Sequence, residues 1–232
     1  IVLEPAGRNT APAAAVAASI ISSDDPEAMI LLMPSDHVIR ELLAFEAAVD
    51  LAFNAAEHGR IVTFGIKPEK PETGYGYIRR GNTLKAVPGC FEVECFVEKP
   101  DVTIAEAYLA DEAYSWNSGM FVFKAVDFLN EMERLQPDTL SSCIKAVSKA
   151  SSDLDFVRLD AASFSKAKSI SIDYAVMEHT ERAAIIPTEM GWNDVGGWSA
   201  LWETSEQDHD GNASIGDVFL KDVRGSYVRS EA

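Results

Sequence analysis

Basic residues are scarce in this sequence. Its 232 residues include 20 Lys and Arg against 37 Asp and Glu, which gives a formal net charge of −17 at pH 7. Because nucleic-acid binding depends mainly on the neutralisation of phosphates by Lys and Arg, this balance excludes DNA and RNA as expected partners. A small phosphorylated ligand remains allowed if a metal ion, helix N-termini or a few cations offset the carboxylates.

Cysteine and long apolar runs are scarce too. Cys90, Cys95 and Cys143 form no C-x-x-C pair and cannot all be bridged to one another, which favours a reducing compartment and free buried thiols. The longest apolar runs are far shorter than the roughly 20 residues that cross a bilayer. The first residues also lack the basic segment of a signal peptide. We therefore expect a soluble, cytoplasmic protein without a membrane partner.

Hydrophobic residues alternate between helical and strand patterns along the first part of the sequence. Met29–Met33 is a continuous apolar run, which is typical of a strand covered on both faces. Residues 41–57 carry apolar side chains at helical spacing, and Asn9 is expected to cap an Ala-rich helix. Residues 60–66 form a further predicted strand. This alternation predicts a layered α/β fold.

Two acidic motifs are weaker than they first look. DHDGN, residues 208–212, resembles the start of a calcium loop, but its glycine comes too early for an EF-hand, so we interpret it as a turn. Asp153 and Asp155 form a D-x-D pair similar to that of metal-dependent glycosyltransferases. They lie in a polar segment that we expect to be helical, which weakens the glycosyltransferase interpretation.

Seven short stretches follow one another in a distinctive order along nearly the whole chain. They are LEPAGRNTAPA (3–13), MPSDH (33–37), TGYGYI (73–78), FVEKP (96–100), WNSGMF (116–121), SIDYAVME (171–178) and WNDVGGW (192–198). As an ordered set they resemble the sugar-phosphate nucleotidyltransferases, and within them the mannose-1-phosphate guanylyltransferases.

The resemblance implies a Rossmann-like, three-layer α/β/α fold with a mixed, mostly parallel central sheet. It also implies Mg²⁺-dependent transfer of GMP from GTP to mannose 1-phosphate, by in-line attack of the sugar phosphate on the α-phosphorus, which gives GDP-mannose and pyrophosphate. Two alternatives stay open. One is a nucleotidyltransferase for another sugar 1-phosphate or base, and the other is a catalytically silent sugar-nucleotide-binding or regulatory subunit. A homo-oligomer is compatible with each of them.

One family feature is absent from the sequence. The family's opening Gly-rich loop, roughly GGxGTRLxPLS, which holds the nucleotide triphosphate, has no counterpart here. We therefore expect the chain to be truncated at both ends and the polypeptide as given to be inactive. Residues 1–207 are expected to form the catalytic domain, and residues 208–232 to begin a linker. Because residues 216–230 alternate on both sides of a turn, this linker is predicted to start with a β-hairpin.

Two aspartates are the predicted metal ligands. Asp36 follows an apolar strand in a Pro-Ser-Asp turn, and Asp194 lies in a Gly-rich turn. Ligands bind at the carboxyl ends of strands in an open α/β sheet, where two carboxylates can share one Mg²⁺ together with phosphate oxygens. For either aspartate alone, a helix cap or Asx turn is the alternative. His37 is expected to have a structural or supporting role, because Mg²⁺ favours oxygen ligands.

The first of the seven stretches bears on nucleotide recognition. Guanine presents two adjacent hydrogen-bond donors that a carboxylate can accept as a pair, so Glu4 is consistent with guanine. By the resemblance, related thymidylyl enzymes carry Gln at this point. The full predicted nucleotide-binding set is Glu4, Arg8, Asn9, Thr10, Pro34 and Asp36.

The resemblance also assigns a sugar-phosphate site. It implies that Glu98 accepts hydrogen bonds from sugar hydroxyls and that Lys99 contacts the sugar phosphate; an exposed Glu-Lys pair is the alternative. Gly76, Asn117 and Asp173 complete the predicted sugar-binding set. Lys99 joins Asp36 and Asp194 as a predicted catalytic residue, although no general base is required, since the attacking phosphate oxygen is already ionised.

Overall fold

The computed structural model describes residues 1–231, whose contacts divide them into two units. Unit 1 comprises Ile1–Met33 and Glu46–Thr188, and unit 2 comprises Pro34–Phe45 together with the residues from Glu189 onward. The predicted domain boundary between residues 207 and 208 stays a prediction. Within the described residues, no helix has both the length and the apolar character that a membrane crossing requires.

Helices and strands alternate over residues 1–66 as the sequence predicted, and the later part of the chain also contains consecutive strands and consecutive helices. The strands are β1 (Val2–Leu3), β2 (Met29–Leu32), β3 (Ile61–Ile66), β4 (Gly76–Thr83), β5 (Phe91–Glu98), β6 (Tyr114–Lys124), β7 (Ser151–Asp153), β8 (Phe156–Arg158), β9 (Ala183–Pro187), β10 (Ala213–Ile215) and β11 (Tyr227–Arg229). The helices are α1 (Thr10–Asp24), α2 (Leu42–Glu57), α3 (Val102–Leu109), α4 (Ala125–Leu135), α5 (Pro137–Ser148), α6 (Ala161–Phe164) and α7 (Trp198–Thr204), and Asp173–Met177 forms a π-helical segment.

The main sheet of unit 1 contains six strands in the order β2-β6-β3-β9-β5-β4. Its mixed character confirms the sequence prediction. The expectation of a mostly parallel sheet is wrong, because β3 pairs parallel with β9 whereas the other pairings of this sheet are antiparallel. Residues 84–90 are all that separates β4 from β5. A parallel crossover needs a dozen or more residues, so these two strands form an antiparallel hairpin.

Strand β6 closes this sheet on itself. Residues 121–124 of β6 pair with β2, and its first residues, 114–116, pair with β4. Strand β3 pairs with β6 at residues 116–117 and 121–122. Strands β6, β3, β9, β5 and β4 therefore form a closed circuit of hydrogen-bonded neighbours, to which β2 is attached from outside.

Small side chains bring the helices of unit 1 close to this sheet. The alanines of α1 at positions 11, 14, 15 and 18 are fully buried in one apolar cluster with residues of α4, α5 and the π-helical segment. In that cluster the rings of Phe123 and Phe128 stack 4.4 Å apart. The predicted cap of α1 is confirmed, since Asn9 Oδ1 accepts a hydrogen bond of 2.8 Å from the Thr10 amide.

A second, three-stranded sheet in unit 1 corrects the expectation for the D-x-D segment. Strands β7 and β8 form an antiparallel hairpin, and β1 pairs parallel with β8. Asp153 therefore lies in a strand and not in a helix. Arg158 donates to its carboxylate at 2.9 Å across the hairpin, and Leu154 takes a positive φ of 52° in the turn.

The predicted hairpin over residues 216–230 is wrong, because residues 216–226 contain no strand and β11 pairs parallel with β10, which precedes them. The side chain of Asn212 explains the difference. Its Nδ2 donates to the Val223 carbonyl at 2.9 Å, and its Oδ1 accepts from the Ser226 amide at 3.2 Å. These bonds bring the returning chain back beside Asn212 before β11 starts, so β11 runs in the same direction as β10.

Gly65 in β3 provides a test of the packing around the main sheet of unit 1. A Cβ at this position would lie 2.6 Å from Ile185 Cδ1 and 2.9 Å from Ser115 Cβ. We expect Gly65→Ala to lower the free energy of unfolding by about 1–3 kcal/mol through overpacking. In the control Gly81→Ala, the nearest atom is 3.4 Å from the new Cβ, and a change within about 0.5 kcal/mol is expected. Urea denaturation measures both, and equal stabilities of the two variants would contradict the packing described.

Candidate functional site

Strained backbone marks several of the predicted site stretches. Among residues 1–231, five non-glycine residues have a positive φ. Three of them, Asn9, Lys99 and Val195, lie within the stretches that carry the family resemblance. Such conformations cost about 1–3 kcal/mol and concentrate at ligand-binding and catalytic sites. The strain therefore directs attention to these three places.

In unit 1, the predicted sugar-site residues Gly76 and Glu98 lie side by side on neighbouring strands. Gly76 begins β4 directly opposite Glu98, which ends β5. A Cβ on Gly76 would lie 2.5 Å from Glu98 Oε2 and 3.3 Å from Asn117 Cβ. Only glycine leaves room for the Glu98 carboxyl group in this position.

Asn117 connects this pair of strands to the π-helical segment. Its Nδ2 donates to Asp173 Oδ1 at 2.8 Å, and its Oδ1 accepts from the Thr63 hydroxyl at 2.8 Å and from the Gly119 amide at 3.3 Å. The Asn117 side chain is buried. The structure therefore brings the predicted residues Gly76, Glu98, Asn117 and Asp173 together, and we call these four the sugar cluster.

Burial dominates the electrostatics of the sugar cluster. It raises the pKa of Glu98 to about 7, with nearby Asp173 and Glu178 raising it further and the Lys99 ammonium opposing them. Burial also raises the pKa of Asp173, although hydrogen bonds from Ser171 and Asn117 act in the other direction. Buried carboxyl groups of this kind need hydrogen-bond donors, and sugar hydroxyls can supply them.

Lys99 lies at the rim of the cluster on a strained turn. Its φ is 50°, its amide donates to the Tyr75 carbonyl at 3.2 Å, and its ammonium lies 3.7 Å from Glu98 Oε1. The side chain is 58% exposed, whereas that of Glu98 is 10% exposed. An ammonium held beside the cluster and open to solvent suits contact with a phosphate.

Glu178 is a further residue of this site that sequence reasoning missed. Its Oε1 accepts the amide hydrogen of Glu98 at 3.3 Å, and its own amide donates to the Asp173 carbonyl at 3.0 Å. That i to i+5 bond belongs to the π-helical segment. Such turns are rare in proteins, and those that occur are often found at functional sites. The SIDYAVME stretch contains both residues, but α-helical spacing does not bring positions 173 and 178 together.

The predicted nucleotide residues of unit 1 are anchored to one loop. Arg8 Nη2 donates to the Ser165 carbonyl at 2.6 Å, and Thr10 Oγ1 accepts the Ile172 amide hydrogen at 2.9 Å. Asn9 caps α1 between them. Glu4 is largely exposed, and its partial burial raises the pKa of its carboxyl group. This turn is thus tied through Ile172 to the segment that carries Asp173.

The two predicted metal ligands both lie in unit 2. Val38 and Asn193 exchange backbone hydrogen bonds of 2.9 and 3.0 Å, which places the MPSDH and WNDVGG stretches side by side. The charges of Asp36 and Asp194 both influence the pKa of His37. Burial lowers the pKa of His37, while both carboxylates act to raise it. Both carboxylates are therefore near enough to His37 to affect its pKa.

Hydrogen bonds orient the groups around these carboxylates. Trp192 Nε1 donates to His37 Nδ1 at 3.1 Å, which assigns the imidazole hydrogen to Nε2 in the neutral form. Asn193 Oδ1 accepts the Val195 amide hydrogen at 2.7 Å, and Asp194 Oδ1 accepts that of Gly196 at 3.2 Å. Val195 is held at a φ of 50°, which a β-branched residue rarely adopts. These hydrogen bonds define the turn that carries Asp194, at the cost of a strained backbone at Val195.

The donor set in unit 2 fits magnesium. Within the described residues, no cluster of three or more His, Cys, Asp or Glu side chains has the arrangement of a metal site. Structural zinc takes four protein ligands, whereas Mg²⁺ is usually held by one or two carboxylates together with water and substrate phosphates. A site made of Asp36 and Asp194 alone would belong to the second pattern. Pro34, also predicted to bind nucleotide, lies half-buried two residues before Asp36.

Comparison with known proteins identifies the family of this chain. A sequence profile of the nucleotidyl transferase family matches residues 1–211. The xanthan biosynthesis protein XanB of Xanthomonas campestris pv. campestris (strain B100) is 52% identical over 228 residues, which cover 98% of this chain and 48% of that protein. The mannose-1-phosphate guanylyltransferase of Escherichia coli (strain K12) is 48% identical over 236 residues, which cover 100% of this chain and 49% of that protein.

A solved structure gives the same picture. The mannose-1-phosphate geranyltransferase of Thermus thermophilus superimposes with a TM-score of 0.82 at 28% identity, covering 99% of this chain and 70% of that one. The present chain spans about half the length of the curated relatives it matches.

The raised pKa of Glu98 predicts a pH-dependent stability. Its pKa is about 7 in the folded protein against an ordinary value of 4.5, so the folded state retains a proton that the unfolded state has lost. Glu98 therefore lowers the free energy of unfolding as the pH rises from about 4.5 to 7. Because Glu98→Gln removes this titration, we expect the variant to gain stability relative to the wild type between pH 5 and pH 8. Denaturant unfolding at both pH values measures the gain, and parallel pH profiles would contradict it.

Proposed function

Because the chain belongs to the nucleotidyl transferase family, we propose that the intact gene product transfers GMP from GTP to mannose 1-phosphate. The products are GDP-mannose and pyrophosphate. The observation that carries this proposal is the sugar cluster, in which four residues from separate stretches of the sequence meet around buried carboxyl groups. The names of relatives such as the Escherichia coli guanylyltransferase support the choice of sugar and base.

The reaction joins two anions, so charge must be offset and the reactants must be held in line. In our proposal, the carboxyl groups of Glu98 and Asp173 accept hydrogen bonds from mannose hydroxyls. Asn117, already oriented toward Asp173, contributes amide contacts. The exposed Lys99 ammonium holds the sugar phosphate. The attacking phosphate oxygen is already ionised, and none of these residues needs to remove a proton from it.

Divalent metals are typical of the family, and we propose that Asp36 and Asp194 hold Mg²⁺. When bound, Mg²⁺ would neutralise negative charge on the nucleotide phosphates. The support is the backbone pairing of Val38 with Asn193, which places the two stretches side by side, and the hydrogen-bonded turn at Asp194. Trp192 holds the imidazole in its neutral form and orients it beside the carboxylates. This leaves the acidic oxygens as the ligands that suit magnesium.

We propose that Glu4 reads the guanine base, with Arg8, Asn9, Thr10 and Pro34 as further nucleotide contacts. A carboxylate can accept from both the N1 hydrogen and the N2 amino group of guanine. The cytoplasmic location and a homo-oligomeric state stay predictions from the sequence.

The function is tested by assaying the intact gene product with mannose 1-phosphate and GTP, dTTP or UTP in turn. We expect pyrophosphate release to be fastest with GTP. A preference for another nucleotide would support a different nucleotidyltransferase. The absence of turnover together with tight binding of GDP-mannose would support a silent binding subunit.

Removal of one metal ligand should stop the reaction without unfolding the protein. We expect Asp194→Asn to lower kcat at least about a hundredfold, or about 2.7 kcal/mol of activation free energy, and to weaken Mg²⁺ binding measured by calorimetry. Asp217→Asn is the control, because Asp217 is an exposed carboxylate of the same unit. A loss of less than about tenfold for Asp194→Asn would exclude this aspartate as a metal ligand.

Glu4→Gln tests the reading of the base. Because glutamine offers one acceptor and one donor in place of two acceptors, we expect the ratio of kcat/KM for GTP to that for UTP to fall at least about tenfold. Glu41→Gln, at another exposed glutamate, should leave this ratio unchanged. A constant ratio in Glu4→Gln would remove the assignment.

A further inference from the structure

Thr63 is a fully buried residue of β3 that contacts the sugar cluster at Asn117. Its hydroxyl lies 2.8 Å from Asn117 Oδ1 and 2.9 Å from the Met120 carbonyl oxygen. Both of these atoms are acceptors, so the hydroxyl acts as the donor and shares its hydrogen between them. None of the seven stretches that carry the family resemblance includes position 63.

These two contacts lie at an irregularity in the pairing of β3 with β6. Thr63 pairs with Phe121 and Gly65 pairs with Asn117, so two steps along β3 correspond to four steps along β6. The extra residues form a bulge in which Gly119 has a φ of 70°. Bulges next to binding sites re-aim side chains and interrupt ladder hydrogen bonds. The Thr63 hydroxyl supplies a donor to the Met120 carbonyl within this bulge.

The hydroxyl also holds the Asn117 amide in its observed orientation. Asn117 Oδ1 is surrounded by two donors, the Thr63 hydroxyl and the Gly119 amide, while Asn117 Nδ2 faces the carboxylate of Asp173. A reversed amide would place its oxygen against the Asp173 carboxylate and its NH₂ group against the Gly119 amide hydrogen, so these two groups set the direction. The Thr63 hydroxyl adds the shorter hydrogen bond to the amide oxygen, and removing it leaves the amide held on this side by Gly119 alone.

We propose that Thr63 is a positioning residue for sugar binding, which acts by fixing the orientation of the Asn117 amide. This proposal rests on the function proposed above, since it takes the sugar cluster as the site of mannose 1-phosphate. Thr63 does not touch the sugar. It holds the Asn117 Nδ2 group toward Asp173, so that the amide donates and the carboxylate accepts in a constant arrangement.

The test is the isosteric substitution Thr63→Val in the intact gene product. We expect KM for mannose 1-phosphate to rise about tenfold, as the loss of one buried hydrogen bond predicts, while KM for GTP stays unchanged. Thr63→Ser keeps the hydroxyl and should restore KM. Thr139→Val is the matched control, since Thr139 is another buried threonine of unit 1, on α5. Equal changes in both KM values, or the same defect in Thr63→Ser, would overturn the proposal.

A measurement without substrate separates this proposal from the proposed function. In the ligand-free protein, the side-chain NH₂ resonances of Asn117 should shift or broaden in Thr63→Val and not in Thr63→Ser. Unchanged Asn117 resonances in Thr63→Val would overturn the positioning role. If the resonances change as expected but the wild type binds no mannose 1-phosphate, the proposed function fails and the control of the amide by Thr63 stands. Thr63→Ala serves the same purpose if Thr63→Val does not fold.

Discussion

The side-chain amide of Asn117 hydrogen-bonds to three separate parts of unit 1. Its oxygen accepts from Thr63 on β3 and from Gly119 in its own bulge, and its nitrogen donates to Asp173 in the π-helical segment. Through Asp173 this bond also places Glu178, whose carboxylate receives the Glu98 amide hydrogen. The amide of Asn117 therefore links β3, β6 and the π-helical segment at this site.

The same site concentrates acidic groups that are costly to bury. Glu98 and Asp173 both have raised pKa values because water is largely excluded from them, and Lys99 is a nearby cation that only partly offsets their charge. A buried acceptor without a donor costs about 1–3 kcal/mol. In the function proposed above, the hydroxyl groups of a sugar supply several such donors at once. The same proposal gives Asp36 and Asp194 of unit 2 the role of oxygen ligands for a cation.

The sequence predicted those features that depend on local chemistry. The cap at Asn9 followed from a polar residue before an Ala-rich run, and the long amphipathic helices followed from their spacing. The pairing of Asp36 with Asp194 was inferred from their turns and stays a prediction, although the bridge between Val38 and Asn193 places the two turns side by side. The sugar residues came from resemblance, because no periodic pattern connects positions as distant as 76 and 173.

The features that were missed depend on contacts between distant residues or on unusual geometry. The direction of the strands was misjudged because the antiparallel insertion of β6 between β2 and β3 leaves no local signal. The parallel pairing of β10 with β11 depends on the side chain of Asn212, fourteen residues before Ser226. Helix α3 was overlooked although Asp101 caps it with a hydrogen bond of 2.9 Å to the Ile104 amide. Glu178 was missed because its relation to Asp173 follows a π-helical and not an α-helical turn.

The closed circuit of strands in unit 1 has a mechanical consequence. Gly76, Glu98 and Asn117 all lie on strands of this circuit. Two strands of a closed circuit cannot separate unless hydrogen bonds between strands break. Their separations should therefore hardly change when a ligand arrives. A site of this stiffness would bind its ligand in a geometry that already exists, so that little of the binding free energy is spent on rearranging the protein.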